Sequence, residues 1–459
     1  MQEQKIYDIV GIGIGPFNLG LAALCTPIES LSTLFLDQAS EFNWHPGMML
    51  SDATLQVPFM ADLVTMADPT SPYSFLNYLK QTDRLYKFYI REDFFVLRKE
   101  YNAYCKWAIN HLKNCHFGQK VTTINYVDGI YQIEKIDQVS GTTETILAKK
   151  IVLGTGTAPK VPAFVNPTVH QHAIHSSEYL KFKQTLLEQK TVTVIGSGQS
   201  AAEIFYDLLP ETENGLNLKW FTRPDRFFPM EYSKLTLELT SPEYVDHFYN
   251  LSDAKRKQLL SKQNSLFKGI NFELINQIFD KLYELSVDGE KINAELMPNC
   301  QLNNLTVNND GSYQLDFYHT ESEKDFAVDT DAVVLATGYK YNEPGFLSAI
   351  HDRIARNTDG LFQVHRNYAI DVNGNEIFVQ NAELHTHGFV TPDLGMGAYR
   401  NASIINAILG FEIYPVEKRI AFQQFSVNGE EEVLRQAQDD NSKTEFEVRD
   451  CHVEPVETP

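Results

Sequence analysis

The sequence is short of the residues that build metal clusters and disulfide frameworks. Its 459 residues contain five cysteines, an odd number, and no two of them form a Cys-x-x-Cys pair. This pattern argues against a zinc cluster and a dithiol redox centre, and it is typical of a protein in a reducing cytoplasm. We therefore expect a cytoplasmic protein without a metal site.

Long apolar runs are also missing. No apolar stretch reaches the roughly 20 residues that cross a bilayer, and no basic leader precedes the first apolar run, which begins by Ile6. Acidic residues outnumber basic ones by 60 to 39, giving a net charge of −21. This charge argues against nucleic acid and anionic membranes as partners and suits a cationic small substrate.

The stretch from Asp8 to Ala22, DIVGIGIGPFNLGLA, joins an apolar run to a glycine-rich turn and an apolar helix pattern. This order predicts the strand, turn and helix that open a dinucleotide-binding unit. In the turn, Gly13 permits a tight bend, Gly15 lets the backbone approach a pyrophosphate, and Asn18 replaces the usual third glycine. Asp37 follows the next apolar run, where an acid can bind ribose hydroxyls.

A second fingerprint of the same design, Gly196-x-Gly198-x-x-Ala201, lies between Thr191 and Phe205. The strand after it is followed by Arg223 rather than an acid, which favours NADP because arginine can pair with the 2′-phosphate. Three polar side chains in or beside the turn can add contacts: Ser197, Gln199 and Ser200. Two fingerprints in one chain predict an oxidoreductase with a bound flavin and a transient nicotinamide.

The order of these patterns predicts an α/β fold with two Rossmann-like dinucleotide-binding domains and a small helical insertion that caps the substrate. Glycine turns at residues 154–156 and 336–339 are expected to join the domains. The expected divisions are a first domain over 1–165 and 341–425, a second over 166–228 and 291–340, a cap over 229–290, and a disordered acidic tail over 426–459.

A methionine-rich, proline-rich segment extends from Phe42 to Pro72. We interpret it as a wall of a flat aromatic cofactor pocket, the alternative being a buried irregular connection. Gln56 and Asp62 are its notable polar residues, and His45 is expected to be a hydrogen-bonded structural histidine. The pattern after it predicts one helix over Tyr73 to Leu85.

With both fingerprints placed, the chain resembles the microbial N-hydroxylating flavin monooxygenases, which hydroxylate lysine, ornithine or diamine amines for hydroxamate siderophores. The resemblance covers about Lys5 to Phe425 and rests on GIGIGPFNLGLA, WHPGMML, LQVPFMADLVTMADPTSPYSFLNYL, GSGQSAAE, LATGY and NAELHTHGFVTPDLGMGAYRNASI. It implies that NADPH reduces FAD, that O2 adds to give a C4a-hydroperoxide, and that a neutral amine attacks this species. It also implies a homo-oligomer of two or four chains.

The resemblance implies a role for residues in each part of the site. Gln56 is the catalytic candidate, beside the reactive edge of the flavin. The cofactor-binding candidates are Gly13, Gly15, Pro16, Asn18, Asp37, Trp44, His45, Gln56, Gly196, Ser197, Gly198, Gln199, Ser200, Arg223, Thr337, Gly338, Tyr339 and Leu394. The substrate-binding candidates are Ala61, Leu237, Asn264 and Gly395.

Departures from the amino-acid hydroxylases predict the substrate. Their motif Phe-Leu-Lys-Asp-Leu carries a lysine for the substrate carboxylate, and Ala61 stands in that place here. A second polar position of those enzymes aligns with Leu237. A pocket without a cation cannot readily desolvate a carboxylate, so we expect putrescine or cadaverine. Asp62 could hold the second ammonium, although capping a helix that begins near Leu63 is its expected role.

Other functions stay open at this point. Ornithine or lysine could be the substrate if Lys234 or Lys268 held the carboxylate, and histamine also lacks a carboxylate. An NADPH-dependent reductase acting on a disulfide or a protein partner is disfavoured by the absence of Cys-x-x-Cys. A regulatory flavoprotein without turnover should have damaged fingerprints, and both are intact.

Overall fold

The computed structural model describes residues 5–166, 168–287, 289 and 292–427. The chain forms an α/β fold with two largely parallel sheets flanked by helices, as the sequence predicts, and a helical insertion. The expected acidic tail lies outside the described residues, apart from 426 and 427. None of the described helices is both long and apolar enough to cross a bilayer.

The first sheet has the strand order β5-β2-β1-β8-β7-β6, and a late strand, β19 (Ile377–Val379), pairs with β8. Parallel pairing places Ile12 opposite both Leu36 and Leu153, so three strands end side by side. The elements up to the first crossover are β1 Ile6–Ile12, α1 Pro16–Cys25, β2 Thr33–Leu36, β3 Thr54–Pro58, α2 Phe75–Gln81, α3 Leu85–Arg91, β4 Phe95–Leu97, α4 Arg98–His111, β5 Cys115–His116, β6 Gln119–Val127, β7 Ile130–Asp137, β8 Thr143–Leu153 and β9 Ala158–Pro159.

The second sheet has the order β10-β17-β11-β12-β13. Ile195 lies opposite both Phe221 and Leu335, which brings the second glycine turn and the segment carrying Arg223 to one edge. Its elements, with a three-stranded antiparallel sheet β14-β15-β16, are β10 Ala173–His175, α5 Tyr179–Leu187, β11 Thr191–Ile195, α6 Gln199–Leu208, β12 Asn217–Phe221, β13 Ala294–Met297, β14 Cys300–Val307, β15 Tyr313–His319, β16 Lys324–Thr330 and β17 Ala332–Leu335.

The remaining elements connect and cover these sheets. A two-stranded ribbon of β9 with β18, in which Tyr339 pairs with Pro159, lies where the chain passes between the sheets. The helices of the insertion are α7 Lys234–Leu237, α8 Pro242–Asn250, α9 Asp253–Lys262, α10 Asn264–Phe267 and α11 Phe272–Leu285, and the last elements are β18 Tyr339–Lys340, β19 Ile377–Val379, α12 Leu384–His387 and α13 Gly397–Leu409.

The two sheets have separate apolar cores. Val10 and Ile151 are buried in the core of the first sheet, and Val192 and Leu218 in that of the second. The central strands β1, β11 and β17 are short runs rich in branched apolar residues, which suits strands covered on both faces. This separation supports the predicted division into two nucleotide-binding domains, whose boundaries remain a prediction.

Two expected helices differ from the structure. The helix predicted over Tyr73 to Leu85 is wrong, because α2 ends at Gln81 and α3 begins at Leu85, with Asp83 in the left-handed region at φ 56°. No helix begins near Leu63 either. The segment forms consecutive turns, and the Asp62 carboxylate binds the backbone of those turns instead.

Asn18 stabilises the first glycine turn from the protein interior. Its side chain is fully buried, donates to the Gly13 carbonyl at 2.8 Å and accepts from the Gln380 amide at 2.7 Å. A Cβ on Gly154 would lie 2.5 Å from this side chain, so the backbone of the turn at Gly154 is in close contact with Asn18. Asn18 thus supports the turn from within the protein, and its side chain is not free to contact a cofactor.

We expect Asn18→Ala to lower the free energy of unfolding by about 1–3 kcal/mol, because it leaves buried polar groups without partners. Urea unfolding measures this loss. Asn77→Ala is the matched control, since the Asn77 amide binds the Pro72 carbonyl at 2.5 Å in an exposed position. The control should change stability by no more than about 0.5 kcal/mol. Equal losses at both positions would contradict the role given to Asn18.

Candidate active site

A pocket of about 940 Å³ opens where the strands of the first sheet end. Gly13 has φ 89°, and a Cβ there would lie 2.3 Å from the Gly154 carbonyl oxygen, so this position requires glycine. Gly15 has an ordinary φ of −79°, yet a Cβ on it would meet no atom within 4 Å. The space beside Gly15 is therefore available to a ligand at the N-terminus of α1, as a pyrophosphate requires.

Asp37 lines the same pocket, as predicted. Its two carboxylate oxygens accept backbone N–H groups of Ile14 at 2.6 Å and Ala39 at 2.7 Å. These bonds fix the carboxylate at the end of β2, where its remaining lone pairs can accept ribose hydroxyls. The glycine cradle, the acid and the volume together fit a dinucleotide such as FAD.

The segment after β2 supplies part of the pocket wall. Trp44 lines the pocket, and its ring packs against that of Tyr101, with 5.1 Å between the ring centroids. His45 has φ 48° and lies edge-on between Trp44 and Tyr339. Among the hydrogen bonds of the described residues, none involves the His45 ring, so its expected role as a hydrogen-bonded histidine is not supported.

Gln56 belongs to a network that crosses between the two sheets. Its amide donates to Gln199 Oε1 at 3.1 Å, and the Gln199 amide donates to Glu203 at 2.8 Å. Glu203 also accepts two hydrogen bonds from the Arg98 guanidinium, at 2.8 Å and 2.6 Å. Gln199 Oε1 further accepts the backbone N–H of Asn271, at the start of cap helix α11. Sequence reasoning identified the two glutamines but missed Arg98 and Glu203, which no local motif marks.

The second glycine turn has the geometry of a nucleotide site. Gly196 has φ 156°, and a Cβ there would lie 2.4 Å from the Ala336 carbonyl. A Cβ on Gly198 would lie 3.2 Å from the Lys268 carbonyl, so the cap reaches this turn. Burial, and then the charges of Lys160 and Arg223, lower the pKa of Lys268. Such a cluster of cations fits the phosphates of NADPH.

The Thr337 to Tyr339 turn lies beside this cluster. The Thr337 hydroxyl donates to the Lys160 carbonyl at 2.5 Å, and the Gly338 carbonyl accepts the Lys160 N–H at 2.9 Å. The His175 ring also contacts the Gly338 carbonyl, at 3.0 Å. The turn therefore positions Lys160, a residue that the sequence did not single out. Ser197 and Ser200 lie in and after the second glycine turn, partly buried.

Ala61, the predicted substrate position, is 6% exposed and lies next to Gly395. A Cβ on Gly395 would lie 3.9 Å from the Ala61 Cβ and 3.2 Å from Asp393 Oδ1. Leu394 follows Asp393 in the short turn Leu394–Met396, and together with Pro16 it lines a small cleft behind the first glycine turn. Alanine thus stands beside an acid here, where the amino-acid hydroxylases place a cation.

Asp62 has a structural role. Its carboxylate accepts the backbone N–H groups of Val64, Thr65 and Phe75 at 2.9, 2.7 and 2.7 Å and the Thr65 hydroxyl at 2.7 Å. Burial raises the pKa of this carboxyl, and these hydrogen bonds oppose the rise. Because its oxygens are already occupied, Asp62 is a poor partner for a substrate ammonium.

Two other predicted substrate residues have less favourable positions. Leu237 is 48% exposed at the end of α7, so it does not form a buried wall. Asn264 begins α10 and donates to the Ser261 carbonyl at 3.1 Å. Their role in substrate binding remains a prediction. Lys234 is exposed on α7, and the Lys268 backbone lies at the second glycine turn.

Comparison with known proteins identifies the family. Residues 5–341 match the family described as L-lysine 6-monooxygenase/L-ornithine 5-monooxygenase. The chain belongs to this family. It is 52% identical to a putrescine N-hydroxylase from Shewanella oneidensis, with 96% of this chain and 88% of the relative covered. A putrescine N-hydroxylase from Acinetobacter baumannii is 47% identical, with coverages of 94% and 96%.

A solved structure supports the same assignment. The cadaverine monooxygenase of desferrioxamine biosynthesis from Erwinia amylovora, bound to FAD, is 50% identical and has a TM-score of 0.91. The alignment covers 93% of this chain and 100% of that one. The predicted resemblance and the predicted class, a flavin-dependent N-hydroxylating monooxygenase, are confirmed.

We expect Gly15→Leu to yield folded protein without flavin, because the leucine side chain would occupy the space beside α1. The backbone at Gly15 needs no glycine, since its φ is −79°. Gly15→Ala provides a graded control and should retain more flavin than the leucine variant. Flavin absorbance per mole of protein measures the effect, and circular dichroism checks the fold. Full flavin content in Gly15→Leu would contradict this assignment.

We expect Arg223→Ala to raise the KM for NADPH by about tenfold or more while the KM for NADH changes little. A charge-assisted hydrogen bond contributes about 1.5–3 kcal/mol, and only NADPH carries the 2′-phosphate. Arg226→Ala is the matched control, because Arg226 is exposed and paired with Asp225 at 2.9 Å. Steady-state kinetics with NADPH and with NADH measure the two KM values. Equal effects on both KM values would remove this role from Arg223.

Proposed function

We propose that this enzyme hydroxylates one amine of a short diamine, putrescine or cadaverine, with FAD, NADPH and O2, for hydroxamate siderophore biosynthesis. The relatives described as putrescine N-hydroxylases and the structural neighbour described as a cadaverine monooxygenase support this substrate class. An ornithine hydroxylase from Kutzneria, solved with reduced FAD, NADP⁺ and L-ornithine, is 26% identical with a TM-score of 0.81. This structure supports FAD and NADPH as the cofactors, although the ornithine hydroxylase is less similar in sequence than the relatives above.

The observation that carries the proposal is the charge beside Ala61. A methyl group at this place cannot pair with a carboxylate, and the acid Asp393 lies against the same side of Gly395 as Ala61 does. Asp62, the next residue in the chain, is engaged by backbone donors. Ornithine or lysine would therefore bring a carboxylate next to a carboxylate. A buried charge without a partner costs several kcal/mol, so the amino acids should be poor substrates.

In this proposal, the substrate pocket favours the neutral form of the amine that reacts. A primary amine has a pKa near about 10.4 in water and must be neutral to act as a nucleophile. Burial disfavours the ammonium form and thereby assists deprotonation. Bound FAD supplies the oxygen-activating chemistry. The hydrogen bond to Gln199 fixes the Gln56 amide, which in this proposal orients groups at the flavin edge. A homo-oligomer of two or four chains and a cytoplasmic location remain predictions.

We expect putrescine or cadaverine to exceed ornithine and lysine in kcat/KM by a factor of hundreds or more, for the desolvation reason given above. Hydroxylated product must be measured, because uncoupled oxidation also consumes NADPH. Histamine is a further substrate candidate without a carboxylate, and its kcat/KM shows whether the enzyme requires an aliphatic diamine chain. An amino acid that matches the best diamine would contradict the proposal.

Ala61→Lys tests the same point from the protein side. The new cation should lower diamine turnover by repulsion and raise the relative turnover of ornithine. Ala61→Met is the control for size, because it fills similar space without charge. If the lysine and methionine variants behaved alike, the charge at this position would not decide the substrate.

A further inference from the structure

We propose that Asp393, with the Tyr232 hydroxyl, binds the distal ammonium of the diamine while the other nitrogen reacts. This inference rests on the proposed function and names the partner that the diamine needs. Asp393 precedes the short turn Leu394–Met396, and its side chain accepts the backbone N–H of Gly395 in that turn. It was not among the residues that the sequence singled out.

The position of the carboxylate supports this role. The point 3.2 Å from Asp393 Oδ1 that a Gly395 side chain would occupy is also 3.9 Å from the Ala61 Cβ. Asp393 therefore faces the same small volume as Ala61. The absence of a side chain on Gly395 keeps the approach to Oδ1 open. In the proposal, the distal ammonium occupies this space beside Ala61, within reach of Oδ1.

The carboxylate is only partly satisfied within the protein. Oδ1 accepts the Gly395 N–H at 2.8 Å, and in the described part of the chain Asp393 forms no ion pair. Burial raises the pKa of the Asp393 carboxyl, and the Gly395 N–H and the charge of Arg400 oppose that rise. Arg400 itself pairs with Glu383 at 2.9 Å and donates to the Thr391 carbonyl at 2.6 Å. Its charge is therefore already engaged, and a ligand ammonium would stabilise the Asp393 carboxylate.

Tyr232 supplies a second polar atom. Its hydroxyl is buried and has no hydrogen-bond partner among the described residues. Burial, and then the charge of Asp393, raise the pKa of Tyr232 to about 12, so the hydroxyl stays neutral. A buried polar group without a partner is uncommon in native proteins and points to a ligand. An ammonium has three N–H donors, which can bind a carboxylate and a hydroxyl oxygen together.

Other nearby acids are engaged elsewhere. Asp62 binds four protein donors, and Glu383 forms the buried ion pair with Arg400. Glu231, next to Tyr232, is exposed and accepts the Thr236 hydroxyl at 2.6 Å. Asp393 is thus the acid whose position and unused hydrogen-bonding capacity match an ammonium beside Ala61.

The test compares Asp393→Asn with the wild-type protein on putrescine and on butylamine, which has the same carbon chain without the second amine. Asparagine retains an oxygen to accept the Gly395 N–H and loses only the charge. We expect the KM for putrescine to rise about ten- to a hundredfold, with a smaller change in kcat and little change for butylamine. The wild-type preference for putrescine over butylamine should therefore largely disappear.

Two controls separate the possible outcomes. Glu231→Gln removes a charge from the neighbouring segment and should leave the putrescine-to-butylamine preference unchanged. Flavin content and the rate of flavin reduction by NADPH report on the integrity of each variant. If wild-type protein hydroxylates putrescine but Asp393→Asn keeps the full preference, the Asp393 assignment is overturned while the proposed function stands. If wild-type protein fails to hydroxylate any diamine, both are overturned.

Discussion

A buried ion pair between Arg98 and Glu203 joins the two nucleotide-binding halves of this enzyme. Arg98 begins α4, which packs with the first sheet, whereas Glu203 lies in α6, directly after the second glycine turn. Both side chains are largely buried, and the guanidinium binds both carboxylate oxygens. Removing one partner of such a pair leaves an unpaired buried charge, which costs about 3–5 kcal/mol. This contact therefore helps to fix the position of the second glycine turn relative to the first sheet.

The same contact organises the reactive part of the site. Arg98 also donates to the Met48 carbonyl at 3.2 Å, in the segment that leads to Gln56. Gln199 connects Glu203 to Gln56 and, through the Asn271 N–H, to the cap. The Gln199 side chain thus contacts the strand that carries Gln56, helix α6 and the start of α11 in the helical insertion. A displacement of any one of these three elements would therefore strain its hydrogen bond with Gln199.

Local sequence patterns predicted the fold well because each strand, turn and helix of a dinucleotide unit is contiguous in the chain. Gly13, Asp37 and Gly196 could be placed from spacing alone. The break between α2 and α3 was missed, because Asp83 adopts a left-handed conformation that no strong turn pattern marks. Lys160 and Asp393 were also missed, since their roles depend on which distant segments the fold brings together.

In the proposed mode of binding, the substrate end of the pocket recognises a cation instead of a carboxylate. The most direct test is a crystal structure of the enzyme with FAD, NADP⁺ and putrescine bound. We expect one diamine nitrogen within about 3 Å of an Asp393 carboxylate oxygen and beside Ala61, and the other nitrogen near Gln56. A diamine bound with both nitrogens away from Asp393, or a pocket in which Ala61 does not contact the ligand, would contradict it.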